Sequence, residues 1–461
     1  MFLQGKPWQT MLTELQSTRM FHETGCLEAV NGVMLTARLN HVRIGEICTV
    51  DSQGGHLQAE VVGFRDNQCL LMPFGFTDGL HVGADVKPTG QPFCFPCGSF
   101  LKGAVLDGLG SPIEIKLKNT PHLGILASPK STKAAYRSVH SSPPDPLRRN
   151  RITKPLLTGI AAIDACLTIG IGQRVGIFAA AGTGKSTLLG QIARTATADV
   201  IVINLIGERG REVREFIEDH LTDEGMQRSI VVAATSDQPA IIRMKSAYIA
   251  TSIAEYFRDQ GYHVLLIMDS VTRFARAMRE MGLARGESPA RSGYPPSVFA
   301  ELPRLLERAG SSETGSITGI YSVLVDGDDL TEPVADEVLS ILDGHIILSR
   351  QLAAENHYPA IDILQSKSRV MHYIVSSTQR QMVNELIGIY AKYINNQDAL
   401  RFGLYQSGTN SELDRAVEMK PRIDDLLCTV WERTESLEVL ENQLNNVLTG
   451  PGVDRTRNDA S

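Results

Sequence analysis

GIFAAAGTGKSTLLGQIA, residues 176–193, has the pattern of a strand, a loop and a helix in that order. The apolar run that ends at Phe178 leads into small residues and a Gly-Lys-Ser-Thr step, and a helical pattern follows. Backbone N–H groups in such a loop, together with the N-terminus of the next helix, bind phosphate oxygens. The stretch therefore predicts a nucleotide site. It leaves open whether the nucleotide is hydrolysed or only held.

The loop, residues 179–186, departs from the strict phosphate-loop pattern at one position, where Ala179 replaces the first glycine. Gly182 keeps the backbone thin where phosphates approach. In loops of this kind the lysine, here Lys185, contacts the β- and γ-phosphates. The hydroxyl that follows, here Ser186, binds Mg²⁺. We expect both roles in this chain.

Two carboxylates follow strand-like apolar runs. Asp269 ends the run HVLLIMD, and Glu208 follows the apolar start of LIGERGREVREF. Ligands of open α/β sheets bind at the carboxyl ends of the strands, and Mg²⁺ prefers few carboxylates with phosphates and waters. Asp269 is therefore a predicted Mg²⁺ ligand rather than a turn cap. Glu208 has two interpretations on the residues alone, a base that orients water or a surface partner of Arg209 or Arg211.

Composition narrows the class of protein. The chain has 461 residues, enough for two to four domains, with 43% hydrophobic and 21% charged residues. The net charge of −7 argues against a general nucleic-acid binder, which usually carries a basic surplus. The sequence contains neither an apolar run of membrane-spanning length nor a secretory signal pattern, so a cytoplasmic location is expected.

The seven cysteines are scattered along the chain, which suits a reducing compartment better than a disulfide framework. Cys94 and Cys97, in CFPC, have the spacing of a redox or zinc pair. A zinc site needs two further ligands at matching spacing, and none follows. A redox pair would open a helix after a strand, whereas this pair lies in a proline-rich stretch. We expect incidental thiols.

Four parts of the chain are predicted. Residues 1–22 form a helix. Short β-rich runs over 23–95 predict a small barrel. Strand-like runs that alternate with helical stretches over 96–375 predict a mostly parallel sheet covered by helices. Residues 376–461 have helical patterns and end in a tail predicted to be disordered.

Two apolar helix faces are predicted near the termini. The first consists of Trp8, Met11, Leu12 and Leu15. It packs either on its own domain or on a partner protein, and the sequence leaves both possibilities open. The second consists of Ile423, Leu426, Leu427 and Val430.

Long motifs resemble the catalytic subunits of the rotary ATPase superfamily. They are AAAGTGKST, IGERGREVREF, LLIMDSVTRFARAMRE and YPAIDILQSKSR. More narrowly, the chain is similar to the ATPases of bacterial type III protein secretion systems over about residues 25–430. Within that family, DDLTEPVADEVLSILDGHI is similar to the injectisome branch rather than to the flagellar export branch.

This resemblance implies an α/β P-loop (RecA-like) ATPase core with an N-terminal small β-barrel and a C-terminal helical domain. It also implies ATP and Mg²⁺ as ligands. The residues that wrap the triphosphate are then Gly182, Thr183, Gly184, Lys185, Ser186 and Thr187. Lys185 stabilises charge on the γ-phosphate, and Ser186 and Asp269 hold Mg²⁺.

The remaining site residues also follow from the resemblance. Glu208 matches the family's catalytic glutamate, and Arg209 matches the arginine beside it that faces the γ-phosphate. Tyr358 occupies the position where the superfamily stacks an aromatic ring on adenine. Arg369 matches the arginine finger that one subunit lends to its neighbour's site, a contribution worth about 10³ to 10⁵ in rate.

A site shared between subunits implies a ring, a homohexamer, since one chain carries both halves. The resemblance further implies a central stalk protein, a stator-like regulator at the N-terminal helix, and chaperone–effector complexes as partners. It implies a location at the inner face of the cytoplasmic membrane through a secretion apparatus, where ATP hydrolysis energises chaperone release, substrate unfolding and export.

Alternatives from other classes remain at this point. A flagellar export ATPase would share the chemistry. A non-catalytic ring subunit would only hold the nucleotide, and such subunits tend to carry glutamine where this chain has Glu208. A proton-coupled rotary subunit would show an acidic lever in its helical domain, and an RNA-translocating hexamer would show basic and aromatic residues in its barrel. The sequence shows neither feature.

Three residues depart from the family's usual pattern. Ala180 and Ala181 replace a glycine and a serine in the phosphate loop, which reduces backbone freedom there. Leu339 stands where relatives tend to carry arginine.

Overall fold

The computed structural model describes residues 24–113, 134–326, 329–431 and 437–449. The predicted N-terminal helix and the predicted disordered tail lie outside these residues. Residues 1–94 and 95–461 form two compact units. Within the described ranges, no helix has both the length and the apolar character needed to cross a bilayer.

The first unit is a closed barrel of six antiparallel strands. They are β1 (Gly25–Asn31), β2 (Met34–Arg38), β3 (Glu46–Ser52), β4 (Gly55–Arg65), β5 (Gln68–Pro73) and β6 (Asp85–Pro92). Their order around the barrel is β1-β2-β5-β4-β3-β6, and β6 pairs with β1 to close it. The interior is apolar, with Leu27, Leu35, Val50, Val61 and Leu71 fully buried. Closure leaves no free sheet edge, and the predicted N-terminal barrel is confirmed.

The second unit is built on a nine-stranded sheet. The strands of this unit are β7 (Cys94–Cys97), β8 (Val105–Asp107), β9 (Ala135–Ser138), β10 (Pro155–Leu156), β11 (Ile169–Gly170), β12 (Arg174–Ala179), β13 (Val200–Glu208), β14 (Ser229–Thr235), β15 (His263–Asp269), β16 (Gly310–Ser311), β17 (Ser316–Leu324), β18 (Gly344–Leu348) and β19 (Lys367–Ser368). The main sheet has the order β19-β18-β12-β17-β15-β13-β14-β8, with β16 beside β17. Its pairings are parallel from β18 to β8, and β16 and β19 add antiparallel pairs. Two small sheets pair β7 with β9 and β10 with β11.

Helices connect and cover these strands. Those of the sheet region are α1 (Ala161–Cys166), α2 (Lys185–Thr195), α3 (Gly210–Glu215), α4 (Thr222–Gln227), α5 (Ala240–Asp259), α6 (Val271–Ala284), α7 (Pro296–Leu306), α8 (Pro333–Ile341), α9 (Arg350–Ala354) and α10 (Met371–Ile374). A π-helical segment, Phe216–Leu221, joins α3 to α4. Long α5 packs on β13, β14 and β15. Because the parallel strands are covered in this way, they form almost wholly apolar runs; every residue of β13 is buried.

The C-terminal region is helical, with α11 (Ser377–Asn395), α12 (Gln397–Arg401), α13 (Ser411–Leu427) and α14 (Leu437–Thr449). This confirms the predicted fold class, an α/β ATPase-type core with an N-terminal barrel and a C-terminal helical domain. The prediction that Val430 continues the apolar face of Ile423, Leu426 and Leu427 is wrong. Those three residues are buried on α13, but the helix ends before Val430, which is 41% exposed.

Beyond α13 the chain becomes extended and pairs with the segment before α1. The Ala161 N–H donates to the Thr429 carbonyl at 3.0 Å, and the Trp431 N–H donates to the Gly159 carbonyl at 3.0 Å. Val430 bridges to Ile160 between them. Residues 429–431 are β-branched or aromatic, types that favour extended backbone, and the pairing partner lies far away in sequence. A helical periodicity in this stretch of the sequence indicates neither the extended backbone nor the distant pairing partner.

The Cys94–Cys97 stretch is a strand and not a linker. Side chains three residues apart on a strand point to opposite faces, and Cys97 is buried whereas Cys94 is partly exposed. Burial raises the pKa of the Cys97 thiol to about 12. Both cysteines are free thiols.

A buried ion pair secures the end of α7. Arg308 is 2% exposed and its Nε and Nη2 atoms donate to the two carboxylate oxygens of Glu255 at 2.9 and 2.8 Å. The same guanidinium donates to the Val139 carbonyl at 2.8 Å and to the Ser252 hydroxyl at 3.0 Å. Loss of either charge would leave the other buried without a partner, which is costly. Through Arg308, the pair also holds the backbone at Val139 against α5.

We expect Arg308→Met to lower the free energy of unfolding by about 3–5 kcal/mol, because Glu255 would keep a buried charge without a partner. Urea unfolding followed by far-UV circular dichroism would measure it. Arg304→Ala is the matched control, since Arg304 contacts Glu301 at 3.4 Å on the surface, with 74% of its side chain exposed. A loss below about 1 kcal/mol for Arg308→Met, the size of a surface pair, would contradict the prediction.

Candidate active site

The phosphate loop joins the end of β12 to the start of α2. Gly182 and Gly184 both have φ of +82°, a left-handed conformation that favours glycine. The Thr183 hydroxyl donates to the Ala180 carbonyl at 2.9 Å and closes the loop on itself. Gly184 stands at the N-cap of α2, so the free N–H groups of the first turn of that helix face the loop. This is the anion-binding geometry that the sequence predicts.

Asp269 lies beside Lys185, as expected for two parallel strands that end at the same sheet edge. Register places Asp269, at the end of β15, opposite Leu205 of β13, three residues before that strand ends at Glu208, and β15 also pairs with β17. The Lys185 ammonium donates to Oδ1 of Asp269, and the Ser322 hydroxyl donates to the same oxygen at 2.6 Å. Asp269 is 2% exposed, so these two donors satisfy a carboxylate that is otherwise withdrawn from water.

Residues suited to a magnesium ion are present at this edge. Ser186 follows Lys185 on the exposed start of α2, and Asp269 supplies one carboxylate. Among the described residues, no group of three or more His, Cys, Asp or Glu side chains has metal-binding geometry. Mg²⁺ does not require such a cage, because phosphate oxygens and waters complete its coordination when a nucleotide is bound.

Glu208 ends β13 and faces the same lysine. Its Oε1 lies 4.0 Å from Lys185 Nζ. Arg273 holds the carboxylate from the other side, with Nη2 donating to Oε2 at 3.2 Å and Nε 3.2 Å from Oε1. Arg273 lies in the first turn of α6, four residues after Asp269, and was not predicted as a site residue. The sequence contained a signal for Arg273, because the helix that follows the strand ending at Asp269 begins at the same edge of the sheet.

The surroundings of Glu208 raise the pKa of its carboxyl to about 7. Burial is the largest cause, followed by the negative charge of Asp269 and a hydrogen bond shared with Glu212. The positive charges of Lys185 and Arg273 oppose the shift. The hydrogen bond with Glu208 holds the pKa of Glu212 below its usual value. A carboxyl with a pKa near neutrality suits a general base, and the surface interpretation of Glu208 does not fit a side chain this buried.

The two predicted arginines lie apart from this cluster. Arg209 is exposed at the N-cap of α3, with Nη1 3.8 Å from Glu212. Arg369 is exposed just after β19, and its N–H donates to the Asp343 carbonyl at 3.0 Å. The Asp343 N–H donates in turn to the carbonyl of Arg174, the first residue of β12. Arg369 therefore lies level with the start of β12, whereas the phosphate loop follows its end.

Tyr358 forms one wall of a pocket beside the loop. Its ring carbons lie 3.2 and 3.3 Å from the point where a Cβ on Gly184 would stand. The pocket has a volume of about 440 Å³. Its main lining residues are Ile160, Thr187, Leu188, Leu348, Tyr358 and Val430. An apolar pocket with an aromatic wall next to a phosphate loop fits a nucleobase. The contributions of Ile160 and Val430 were not predicted, because the pairing that brings them together is tertiary.

Family models match three stretches of the chain. The beta-barrel domain of the ATP synthase alpha/beta family matches residues 28–90, and the nucleotide-binding domain of that family matches residues 159–368. The T3SS EscN ATPase C-terminal domain matches residues 375–446.

Curated relatives match over nearly their whole length. The type 3 secretion system ATPase of Xanthomonas euvesicatoria is 48% identical over 437 residues, which covers 94% of this chain and 96% of that protein. The flagellum-specific ATP synthase of Bacillus subtilis strain 168 is 46% identical over 422 residues, covering 91% and 94%.

Solved structures are similar as well. The assembled ATPase EscN of the enteropathogenic E. coli type III secretion system is 44% identical, with a TM-score of 0.83, and the match covers 92% of this chain and 100% of that one. EscN in complex with its central stalk EscO gives a TM-score of 0.82 at the same identity and coverage.

The two loop glycines separate backbone strain from the contact with Tyr358. Alanine at either position adopts a left-handed conformation at a cost of about 1–2 kcal/mol, which we expect to weaken nucleotide binding about tenfold. Gly182→Ala adds a Cβ with nothing within 4 Å, whereas Gly184→Ala adds one against the Tyr358 ring. Gly184→Ala should therefore bind a fluorescent ATP analogue more weakly than Gly182→Ala. Equal affinities by fluorescence titration would contradict the assignment of Tyr358 to the pocket wall.

Proposed function

The chain belongs to the ATP synthase alpha/beta family and, within it, to the type III secretion system ATPases, and on that premise we propose that it hydrolyses ATP to energise type III protein secretion. The family models and relatives support an ATP-hydrolysing enzyme. One observation carries the proposal for this chain: Glu208 is buried within 4.0 Å of the phosphate-loop lysine, with its pKa raised toward neutrality. A subunit that only holds nucleotide has no use for such a carboxylate.

The proposed chemistry assigns a separate task to each side chain. Lys185 and the loop N–H groups hold the β- and γ-phosphates and stabilise charge on the γ-phosphate. Glu208, in its ionised form, orients a water for in-line attack and accepts its proton. Arg273 keeps that carboxylate pointing at the γ-phosphate position. Mg²⁺, held by Asp269 and Ser186, would supply charge neutralisation on the phosphates.

Arg369 is proposed to act on a neighbouring subunit's site. A strand rises about 3.3 Å per residue, so the six residues of β12 separate Arg369 from its own phosphate loop by about 16 Å along the strand. An arginine side chain does not reach that far. In a homohexamer, the exposed Arg369 of one subunit would complete the site of the next as an arginine finger. Arg209, also exposed, would face the γ-phosphate from within its own subunit.

The proposed setting is the cytoplasmic face of a secretion apparatus, peripheral to the inner side of the membrane. EscN, a similar protein of known structure, is assembled and binds a central stalk, and we assign the present chain a corresponding ring and stalk partner. A stator-like regulator that binds residues 1–22, where the sequence predicts a helix, and chaperone–effector complexes as cargo complete the proposal. Flagellar export is the second candidate, because flagellum-specific relatives share 46–47% identity with this chain.

Mixing two inactive variants would test the shared site. Glu208→Gln should reduce ATP turnover by about 10² to 10⁴, and Arg369→Ala by about 10³ to 10⁵. Both variants should still bind ATP. In mixed rings, a site that draws Glu208 from one subunit and Arg369 from its neighbour is intact, so the 1:1 mixture should regain a substantial part of the wild-type rate. Phosphate release on purified proteins measures this.

Equal amounts of Glu208→Gln and the double variant Glu208→Gln/Arg369→Ala serve as the control, since that mixture contains no intact site. A mixture of the two single variants as inactive as its parents would overturn the trans assignment, and a fully active Glu208→Gln would overturn the catalytic one.

The raised pKa of Glu208 predicts a pH dependence. The base form is ionised, so kcat/KM should fall as the pH drops through about 7, the pKa of this group, rather than near the ordinary glutamate value of about 4.3. Glu212→Gln removes a hydrogen bond that raises this pKa, so the acid limb should move to lower pH. An acid limb that stays in place in Glu212→Gln would refute this account of the pKa.

A further inference from the structure

We propose that His357 is a positioning residue, held by Asp424 of α13, that sets Tyr358 against the phosphate loop and so couples adenine binding to the C-terminal helices. The inference rests on the proposed ATP site and assigns a role to two residues that do not contact the phosphates.

His357 directly precedes the tyrosine in a tightly bound turn. Its N–H donates to the Leu352 carbonyl of α9 at 2.9 Å, and Asn356 before it has a left-handed φ of +59°. Two residues beyond Tyr358, the Ala360 carbonyl accepts the Ser349 N–H at 2.8 Å. Hydrogen bonds therefore hold the backbone on both sides of the tyrosine, and the His357 side chain joins this same turn to α13.

The imidazole is buried beside a carboxylate. Only 10% of the His357 side chain is exposed, and its Nε2 lies 3.7 Å from Oδ1 of Asp424. Among the described residues, the two ring nitrogens of His357 have no hydrogen-bond partner, and neither does Oδ1 of Asp424. Buried polar groups are normally paired, and a shift of less than 1 Å along this line would form a hydrogen bond. The geometry identifies Asp424 as the partner that fixes the ring.

Asp424 is itself anchored in the helical domain. Lys420, one turn earlier on α13, donates to its other oxygen. The Lys420 ammonium lies 5.5 Å from the centre of the Tyr390 ring and 5.2 Å from that of Tyr393, both on α11. Cation–π contacts and the ion pair together hold this carboxylate in place.

The end of α13 contacts the tyrosine at a second point. Cys428, one turn after Asp424, lies beside the backbone of Tyr358, whose polar group lowers the pKa of the thiol against the larger effect of burial, which raises it. Val430, two residues further on, lines the same pocket. The end of α13 thus supports the tyrosine through His357 and Cys428, and the segment after it supplies another part of the wall. A movement of α13 would change the base pocket without touching the phosphate loop.

This separation of base and phosphate contacts defines the experiment. The full chain is titrated by calorimetry with ATP and, separately, with inorganic tripolyphosphate, which has no base. For His357→Ala and Asp424→Ala we expect the Kd for ATP to rise about fivefold, the effect of losing one buried hydrogen bond. The Kd for tripolyphosphate should not change, and KM should rise more than kcat falls.

Two further variants sharpen the test. The double variant should lose no more affinity than either single one, because the two side chains act as a pair. His357→Gln, which can still donate to Asp424, should recover most of the ATP affinity. Arg401→Ala is the matched control at the same junction, since Arg401 lies 3.6 Å from Glu355, the residue after α9, with both side chains exposed.

The outcomes separate this inference from the proposed function. A wild-type chain that binds no ATP would overturn the proposed function. Wild-type binding with unchanged affinity in His357→Ala and Asp424→Ala would overturn the positioning role alone. Equal losses for ATP and tripolyphosphate would also overturn it, because they would show a general effect on folding of the site.

Discussion

The carboxyl ends of parallel strands meet at one edge of the sheet, and the site depends on that constraint. β12 ends in the phosphate loop, β13 in Glu208 and β15 in Asp269, and the parallel pairing of β13 with β15 brings both carboxylates to the same edge. Helices cover the parallel strands, so the chain that leaves a strand at this edge continues into a helix. The first turn of that helix has free N–H groups. Anion binding and carboxylate placement therefore follow from the same topology.

Electrostatic balance at this edge depends on one lysine between two buried acids. Lys185 and Ser322 both donate hydrogen bonds to Asp269. Glu208 lies farther from the lysine, and its hydrogen bonds are with Arg273 and Glu212. Burial and the negative charge of Asp269 both raise the pKa of Glu208, because each disfavours its charged form. Because the surroundings of the two carboxylates differ, Asp269 is suited to bind a metal ion and Glu208 is suited to act as a base.

The C-terminal helical region supplies part of the wall of the candidate nucleotide pocket. Residues 429–431 pair with residues 159–161 ahead of α1, and Gln191 of α2 donates to the Trp431 carbonyl at 3.2 Å. The end of α13 also contacts the turn that carries Tyr358. A domain that supplies part of a pocket wall responds to what fills the pocket, because its position enters the binding free energy. This arrangement links the contents of the pocket physically to the C-terminal helices.

Local patterns in the sequence were sufficient for the barrel, the parallel sheet, the phosphate loop and the positions of Glu208, Asp269 and Tyr358. Each is encoded by residues close together in the chain, by apolar periodicity or by a motif whose backbone geometry its own glycines impose. Tertiary structure decided the rest. Arg273 reaches Glu208 across two strand ends, Val430 leaves the predicted helix to pair with Ile160, and His357 meets Asp424 from another domain. These contacts join residues whose separation in sequence carries no periodic signal, so only the folded chain brings them together.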